Sequence, residues 1–178
     1  MHWPWKEKKA REEKNLELPV NQWYPLFILN DDGTTTEVSR IDWDNYFMMI
    51  SEQVATRGTC DRKQVGCVLV RDKRILATGY NGSITGSAHC DDAGHLMEDG
   101  HCVRTVHSEV NALAQCAKYG IACDGATVYI NTCPCWGCFK ALVNTGIKEI
   151  FYRDPYKPQL KELVFKYAKE LGIPLKQI

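Results

Sequence analysis

From residue 42 onward the hydrophobic positions fall into a regular order that the first forty residues lack. Asp42 stands where a helix cap is expected, and Trp43, Phe47, Ile50 and Val54 recur behind it at helical spacing. Val65–Val70 and Ile75–Tyr80 are apolar runs of strand type, joined by the tight turn Arg71-Asp72-Lys73-Arg74. Residues 83–105 are rich in Gly, Asp, His and Cys and show no period. A loop of that length inside a compact domain is functional or needs some other means of ordering. Helical spacing returns over Val106–Lys118, with Val110, Leu113, Ala114 and Ala117 expected on one inward face. Ala126–Asn131 reads as a strand, Cys135–Asn144 as a helix that Gly146 can end, and Lys148–Tyr152 as another strand. Gln159–Leu171 reads as a closing helix with Leu160, Leu163, Val164, Tyr167 and Leu171 inward and Gly172 just beyond it. Leu175–Ile178 can add a last strand. The order α-β-β-α-β-α-β-α predicts one mixed sheet with helices on both faces.

Residues 1–40 read as an N-terminal extension to a domain spanning 41–178. Met1–Lys14 is Lys/Glu-rich and carries Trp3 and Trp5, while Pro19 and Pro25 break a stretch around Trp23-Tyr24 and Leu26–Leu29 that is expected to be irregular. Such an arm packs on a neighbour or on the surface of its own domain, with a specific regulatory role as the alternative. A chain of 178 residues, 44% hydrophobic and 25% charged, fits one soluble domain with a tail. Its formal net charge of zero argues against a nucleic-acid partner, because phosphate contacts call for a basic excess or stripe. No apolar run reaches the length of a membrane span, and residues 1–14 are too charged for a signal peptide. The nine cysteines are odd in number and several fall close to histidines, which favours metal binding in a reducing compartment over a disulfide framework. The expected location is the cytoplasm, or the host cytoplasm for a viral protein.

His107-Ser108-Glu109, followed by Pro134-Cys135-Trp136-Gly137-Cys138, carries the most specific chemistry in the chain. Cys135 and Cys138 stand three apart, so a helix begun by Pro134 sets both thiols on one side of its first turn. A helix N-terminus also favours the thiolate that a metal requires. With His107 they make three ligands, and a tetrahedral zinc then keeps its fourth position open for water, as catalytic sites do. Glu109 is the carboxylate that is not a ligand. A lone Cys-x-x-Cys is often structural or redox-active and a lone His-x-Glu means little, but the ordered pair is the signature of zinc-dependent nucleobase deaminases. Cys133 precedes Pro134 and is expected to point elsewhere.

With these residues in view the chain resembles the deoxycytidylate (dCMP) deaminases, most closely their bacterial and bacteriophage members. The resemblance is carried by Cys60-Asp61-Arg62-Lys63-Gln64-Val65-Gly66, Gly79-Tyr80-Asn81-Gly82, His107-Ser108-Glu109-Val110-Asn111-Ala112, Pro134-Cys135-Trp136-Gly137-Cys138 and Gly146-Ile147-Lys148, and covers roughly residues 42–157. Ser108 stands where the family usually has alanine, and Cys133 where an apolar residue is more usual. The resemblance implies a three-layer α/β/α fold of cytidine deaminase type, with a central mixed five-stranded sheet. It implies hydrolysis of dCMP to dUMP and ammonia, supplying dUMP for thymidylate synthesis, with Glu109 moving protons from water to N3 and then to the departing amine. It also implies a homo-oligomer, commonly a hexamer, activated by dCTP with Mg2+ and inhibited by dTTP, with Gly79, Tyr80, Asn81 and Gly82 in the effector region.

For the substrate, the resemblance points to Asn81 at the sugar and Tyr152 near the phosphate, while Arg62 and Lys63 are the candidate phosphate partners and Arg62 the favoured one. The segment 83–105 holds His89, Cys90, His95, His101 and Cys102, more ligands than a solvated loop needs. Some family members carry a second, structural zinc there, which suggests a closed site of Cys60, Cys90, His95 and Cys102, with His101 as the alternative fourth ligand. The rivals are another deaminase on the same scaffold, acting on free cytidine, tRNA adenosine or a riboflavin precursor, and a non-catalytic zinc-stabilised assembly protein. Zero net charge speaks against the tRNA enzyme, the Gly-Tyr-Asn-Gly turn and the Cys/His insertion against the free-nucleoside enzyme, and the presence of Glu109 against the non-catalytic protein.

Overall fold

The structure is a computed structural model that describes residues 26–29, 31–38, 40–155 and 160–178. The chain divides into two units, Met1–Arg40 and Ile41–Ile178. In the first, β1 (Leu26–Leu29) pairs antiparallel with β2 (Thr35–Val38), from Leu26 opposite Val38 to Leu29 opposite Thr35. The Asp32 carboxylate accepts from the Thr34 backbone N–H at 2.9 Å and from its hydroxyl at 2.6 Å, and Gly33 has φ +80°. That turn chemistry makes a hairpin where an irregular stretch was expected at Leu26–Leu29. Trp3, Trp5, Pro19, Trp23, Tyr24 and Pro25 lie outside the described residues.

The second unit contains α1 (Trp43–Ala55), β3 (Gly66–Arg71), β4 (Arg74–Tyr80), β5 (Gly82–Ser83), α2 (Cys90–Ala93), β6 (Met97–Glu98), β7 (His101–Cys102) and β8 (Thr105–Val106). It continues with α3 (Ser108–Tyr119), β9 (Thr127–Thr132), α4 (Trp136–Asn144), β10 (Glu149–Asp154), α5 (Lys161–Glu170) and β11 (Leu175–Gln177). Its five-stranded sheet runs β11-β10-β9-β3-β4. Strand β10 is parallel to β11 and β9, whereas β3 is antiparallel to β9 and β4. Arg71 pairs with Arg74, and the two residues between them have φ of 52° and 60°, the left-handed pair that lets a two-residue turn follow the strand twist.

Alternation along the strands sorts the core into two layers. Val68, Val70, Tyr129 and Phe151 face α1 and pack on Phe47 and Met48. Cys67, Leu69, Val128, Ile130 and Ile150 face the other way, onto Ala112 and Cys116 of α3, Phe139 and Leu142 of α4, and Val164 and Ala168 of α5. The result is a three-layer α/β/α fold with α1 on one face and α3, α4 and α5 on the other.

Two inward faces differ from the expectation. Helix α3 buries Ser108, Glu109, Ala112 and Cys116, while Val110 is 40% exposed and Ala114 and Ala117 face out. The cause is the close approach at Gly79, where an added Cβ would stand 2.2 Å from the Ser108 carbonyl oxygen and 2.4 Å from the Ala112 nitrogen. Only small side chains fit that contact, so periodicity of large residues misplaces it. In α5 the buried residues are Val164 and Ala168, with Leu160, Tyr167 and Leu171 exposed. Here too a small residue marks the close contact, and Tyr167 instead packs its ring 5.1 Å from that of Trp136.

The segment without a period is built from short pieces. Strand β5 pairs with β8, β6 with β7 in a hairpin turned by Asp99 and Gly100 at φ 46° and 78°, and α2 forms a single turn.

Candidate active site

Two helix starts meet at one side of the sheet. His107 and Cys135 are the N-cap residues of α3 and α4, both extended, with φ −65°, ψ 150° and φ −72°, ψ 164°. Helix α4 thus begins at Trp136 and not at Pro134, and Cys135 Sγ takes the capping position, accepting from the Cys138 N–H at 3.5 Å. Strand β8, which feeds α3, belongs to the small β5–β8 ladder and not to the central sheet. His107 Nδ1 lies 3.5 Å from Cys135 Sγ and 3.4 Å from Cys138 Sγ. A tetrahedral zinc, with Zn–S about 2.3 Å and Zn–N about 2.0–2.1 Å, sets such N and S donors roughly 3.5 Å apart. The donor set and its spacing therefore fit zinc.

His107, Cys135 and Cys138 share their protons unequally. Hydrogen bonds from Cys138, and then from His107, hold the Cys135 thiol at about 4 against its burial. Cys138 is pushed up, because it is the donor to Cys135 and is itself buried. The hydrogen bond to Cys135 also raises His107 against its own burial. Glu109, 3% exposed, has its carboxyl raised by burial, against the pull of its own backbone N–H and the His107 ring. The Ser108 hydroxyl, fully buried, donates to Glu109 Oε2 at 2.9 Å.

His107, Glu109 and Cys135 open onto a cleft of ≈ 720 Å³, within the roughly 300–1,000 Å³ of small-molecule sites. Its walls also carry Arg62, Lys63, Asn81, Glu98, Asp99, His101 and Cys133. Arg62 donates to the Gly100 carbonyl at 3.0 Å and reaches Met97 Sδ at 3.0 Å. Lys63 Nζ donates to Thr132 Oγ1 at 2.9 Å and lies 3.9 Å from Asp154; its burial lowers the ammonium below its usual value against the pull of that carboxylate. Asn81 is not a free turn residue: Oδ1 accepts from the Val65 N–H and Nδ2 donates to the Lys63 carbonyl, both at 2.8 Å. It pins the wall that presents Lys63. Cys133, 1% exposed, lies outside the His107 group, and burial raises its thiol to about 11.

Tyr152 does not line this cleft; it is 5% exposed and packs in the core beside Ile150 and Val164. In the proposed effector turn, Gly79 is buried against α3, and Gly79, Tyr80 and Gly82 border a second groove of ≈ 440 Å³, whereas Asn81 turns to the catalytic cleft.

A second group forms beside this cleft, which Cys60 and Cys102 line. Cys60, Cys90, His95 and Cys102 place their donor atoms within 4.8 Å of one another, with Cys90 and Cys102 sulfurs 3.6 Å apart and Cys60 Sγ 3.8 Å from His95 Nδ1. Tetrahedral thiolates on zinc stand roughly 3.8 Å apart, so this set fits as well. Burial lifts Cys90 to about 12, while at Cys102 hydrogen bonds from the Arg104 backbone, His95 and Cys90 outweigh burial and bring it to about 6. His101 is absent from the group and faces the cleft. Sequence reasoning gave no role to Asp61, whose Oδ1 stands 3.1 Å from His95 Nε2, nor to Asn131, whose amide holds Gly66 N–H and the Gln64 carbonyl at 3.1 and 3.0 Å. An Asn at a strand end opposite a cleft loop is the only signal for the latter.

Residues 41–153 match the profile of the cytidine and deoxycytidylate deaminase zinc-binding region. The chain belongs to this deaminase family. It is 46% identical over 145 residues to ComE operon protein 2 of Bacillus subtilis, covering 79% of this chain and 74% of that protein. To the deoxycytidylate deaminase of Saccharomyces cerevisiae it is 36% identical over 159 residues, 85% of this chain but only 50% of that protein. Among solved structures, dCMP deaminase from the cyanophage S-TIM5 in complex with dCMP and dUMP superposes with a TM-score of 0.65 at 28% identity, covering 75% of this chain and 95% of that one. The deaminase fold and the zinc-binding region thus rest on sequence and architecture together.

Proposed function

We propose that this deaminase hydrolyses dCMP to dUMP and ammonia. The observation that carries the reading is the meeting of His107, Cys135 and Cys138 with the buried Glu109 at one cleft that Arg62 and Lys63 also line. The named relatives support it: a deoxycytidylate deaminase by sequence, and by fold a phage enzyme whose structure holds dCMP and dUMP.

His107, Cys135 and Cys138 would hold zinc, which supplies the acidity that brings water from a pKa of about 15.7 to about 7. Glu109 takes the proton of the attacking water and passes it to N3 of cytosine. It then carries the water's second proton from the new C4 hydroxyl to the amine; the C4–N bond breaks, ammonia leaves, and the C4 carbonyl oxygen of dUMP comes from the water. Its burial suits this work, because a carboxyl raised above its usual range is the stronger base toward the water's proton. Arg62 and Lys63 offer charge to the 5′-phosphate, Asn81 braces their loop and meets the sugar, and Cys60, Cys90, His95 and Cys102 hold a structural zinc. The product supplies thymidylate synthesis in the cytoplasm; among the described residues no helix is long and apolar enough to cross a membrane.

Regulation by dCTP with Mg2+ and by dTTP, in a homo-oligomer of hexamer type, completes the reading. It is supported by the groove beside Tyr80 and by apolar side chains left on the outer face of α3, with Val110 40% and Tyr119 65% exposed. Glu109→Gln tests the chemistry: it should retain zinc and lose about 100- to 10,000-fold of the dCMP turnover. A zinc-replete Gln variant with substantial activity would remove Glu109 from the mechanism. Rates that do not respond to dCTP or dTTP would remove the regulatory part alone.

A further inference from the structure

We infer that Asp61 is the outer carboxylate of the second Cys/His group: it orients the His95 ring and so sets how tightly that group retains zinc. The inference rests on reading Cys60, Cys90, His95 and Cys102 as a zinc site. His95 presents Nδ1 to Cys60 Sγ at 3.8 Å and Nε2 to Asp61 Oδ1 at 3.1 Å. A neutral imidazole has one N–H. When Nδ1 offers its lone pair toward the thiols, the proton is on Nε2, the nitrogen that has Asp61 Oδ1 3.1 Å away. A metal-bound histidine almost always gives its second N–H to such a partner, which fixes the tautomer and ring angle and makes the ligating nitrogen more basic.

Local sequence holds the carboxylate there. Cys60, on one side, is buried in the metal group, and Arg62, on the other, donates to the Gly100 carbonyl at 3.0 Å. Both neighbours of Asp61 are thus tied to the insertion that carries His95. The Asp61 side chain is 79% exposed and His95 28%, so as an ion pair in water the contact contributes little to folding. Its effect is expected in metal retention. His95 is the single imidazole of the group, so no other ligand offers a ring for an outer carboxylate to orient.

The test compares the full-length protein with Asp61→Ala, Asp61→Asn and Asp91→Ala, each dialysed against a graded chelator series and assayed for zinc by elemental analysis. Asp91 is a control: it neighbours the ligand Cys90 in the same insertion and carries the same charge. Wild type and Asp91→Ala should retain a zinc ion for each Cys/His group. Asp61→Ala should release the second at chelator concentrations about 10- to 100-fold lower. Asp61→Asn should fall between, because its amide oxygen still accepts but carries no charge. Retention in Asp61→Ala equal to wild type, or loss matched by Asp91→Ala, would overturn the role of Asp61. A wild type that holds only the catalytic zinc would instead overturn the two-metal reading beneath it.

Discussion

Burial and chemistry oppose one another most sharply at single side chains. Glu109 is raised by desolvation and steadied by Ser108, a residue whose smallness was legible in the sequence but whose hydrogen bond was not. Tyr129 shows the same tension away from the site. It is 5% exposed, stacks on Phe151 with ring centroids 5.0 Å apart, and donates to Asp44 Oδ1 at 2.6 Å. Burial first, and then Asp44, raise its phenol above the usual value. Because the folded state holds that proton more tightly, the stabilisation is fully present below the unfolded pKa of about 10 and is lost as pH rises beyond it. Tyr129→Phe should cost about 1–2 kcal/mol at neutral pH, and its stability should fall less steeply than wild type above about pH 10. Denaturant melts of both proteins at pH 7 and pH 10.5 check this; parallel loss would contradict it.

Helices and strands are where sequence pattern worked best and also where it missed. The five strands of the central sheet, the 71–74 turn and helices α1, α3, α4 and α5 followed from period and caps, because those signals are local. The faces of α3 and α5 followed only in part, because Ala168 of α5, Cys116 of α3 and the Ser108 and Ala112 that meet Gly79 carry little hydrophobic signal. Two glycines expose the same logic on opposite faces of the sheet. An added Cβ at Gly66 would stand 2.0 Å from the Ser51 carbonyl oxygen of α1, and one at Gly79 2.2 Å from that of Ser108 in α3. Both alanine variants should lose about 3 kcal/mol, since backbone has to move in each. Only Gly79→Ala displaces α3, the helix that His107 caps, so it should also weaken zinc retention and turnover in the protein that remains folded. Equal activity per folded molecule in the two variants would contradict that division.

At the scale of the whole domain, one cleft lies between two groups of cysteines and histidines, with cationic side chains on its wall. The catalytic motif was legible because its ligands fall at helix starts with fixed spacing. Arg62, Lys63 and Asn81 were legible as candidates and do line the cleft, but the bonds that hold Lys63 to Thr132 and Asn81 to the 63–65 loop were not. Tyr152, chosen by family likeness at a strand end, went to the core because its strand alternation points it there. The phosphate is therefore what the cleft has to prove. Ammonia release measured side by side from dCMP, deoxycytidine and CMP tests this most directly. A phosphate worth one charged hydrogen bond, about 1.5–3 kcal/mol, should favour dCMP over deoxycytidine by roughly ten- to a hundredfold or more in kcat/KM. Equal turnover of deoxycytidine would contradict the account and make the protein a nucleoside deaminase.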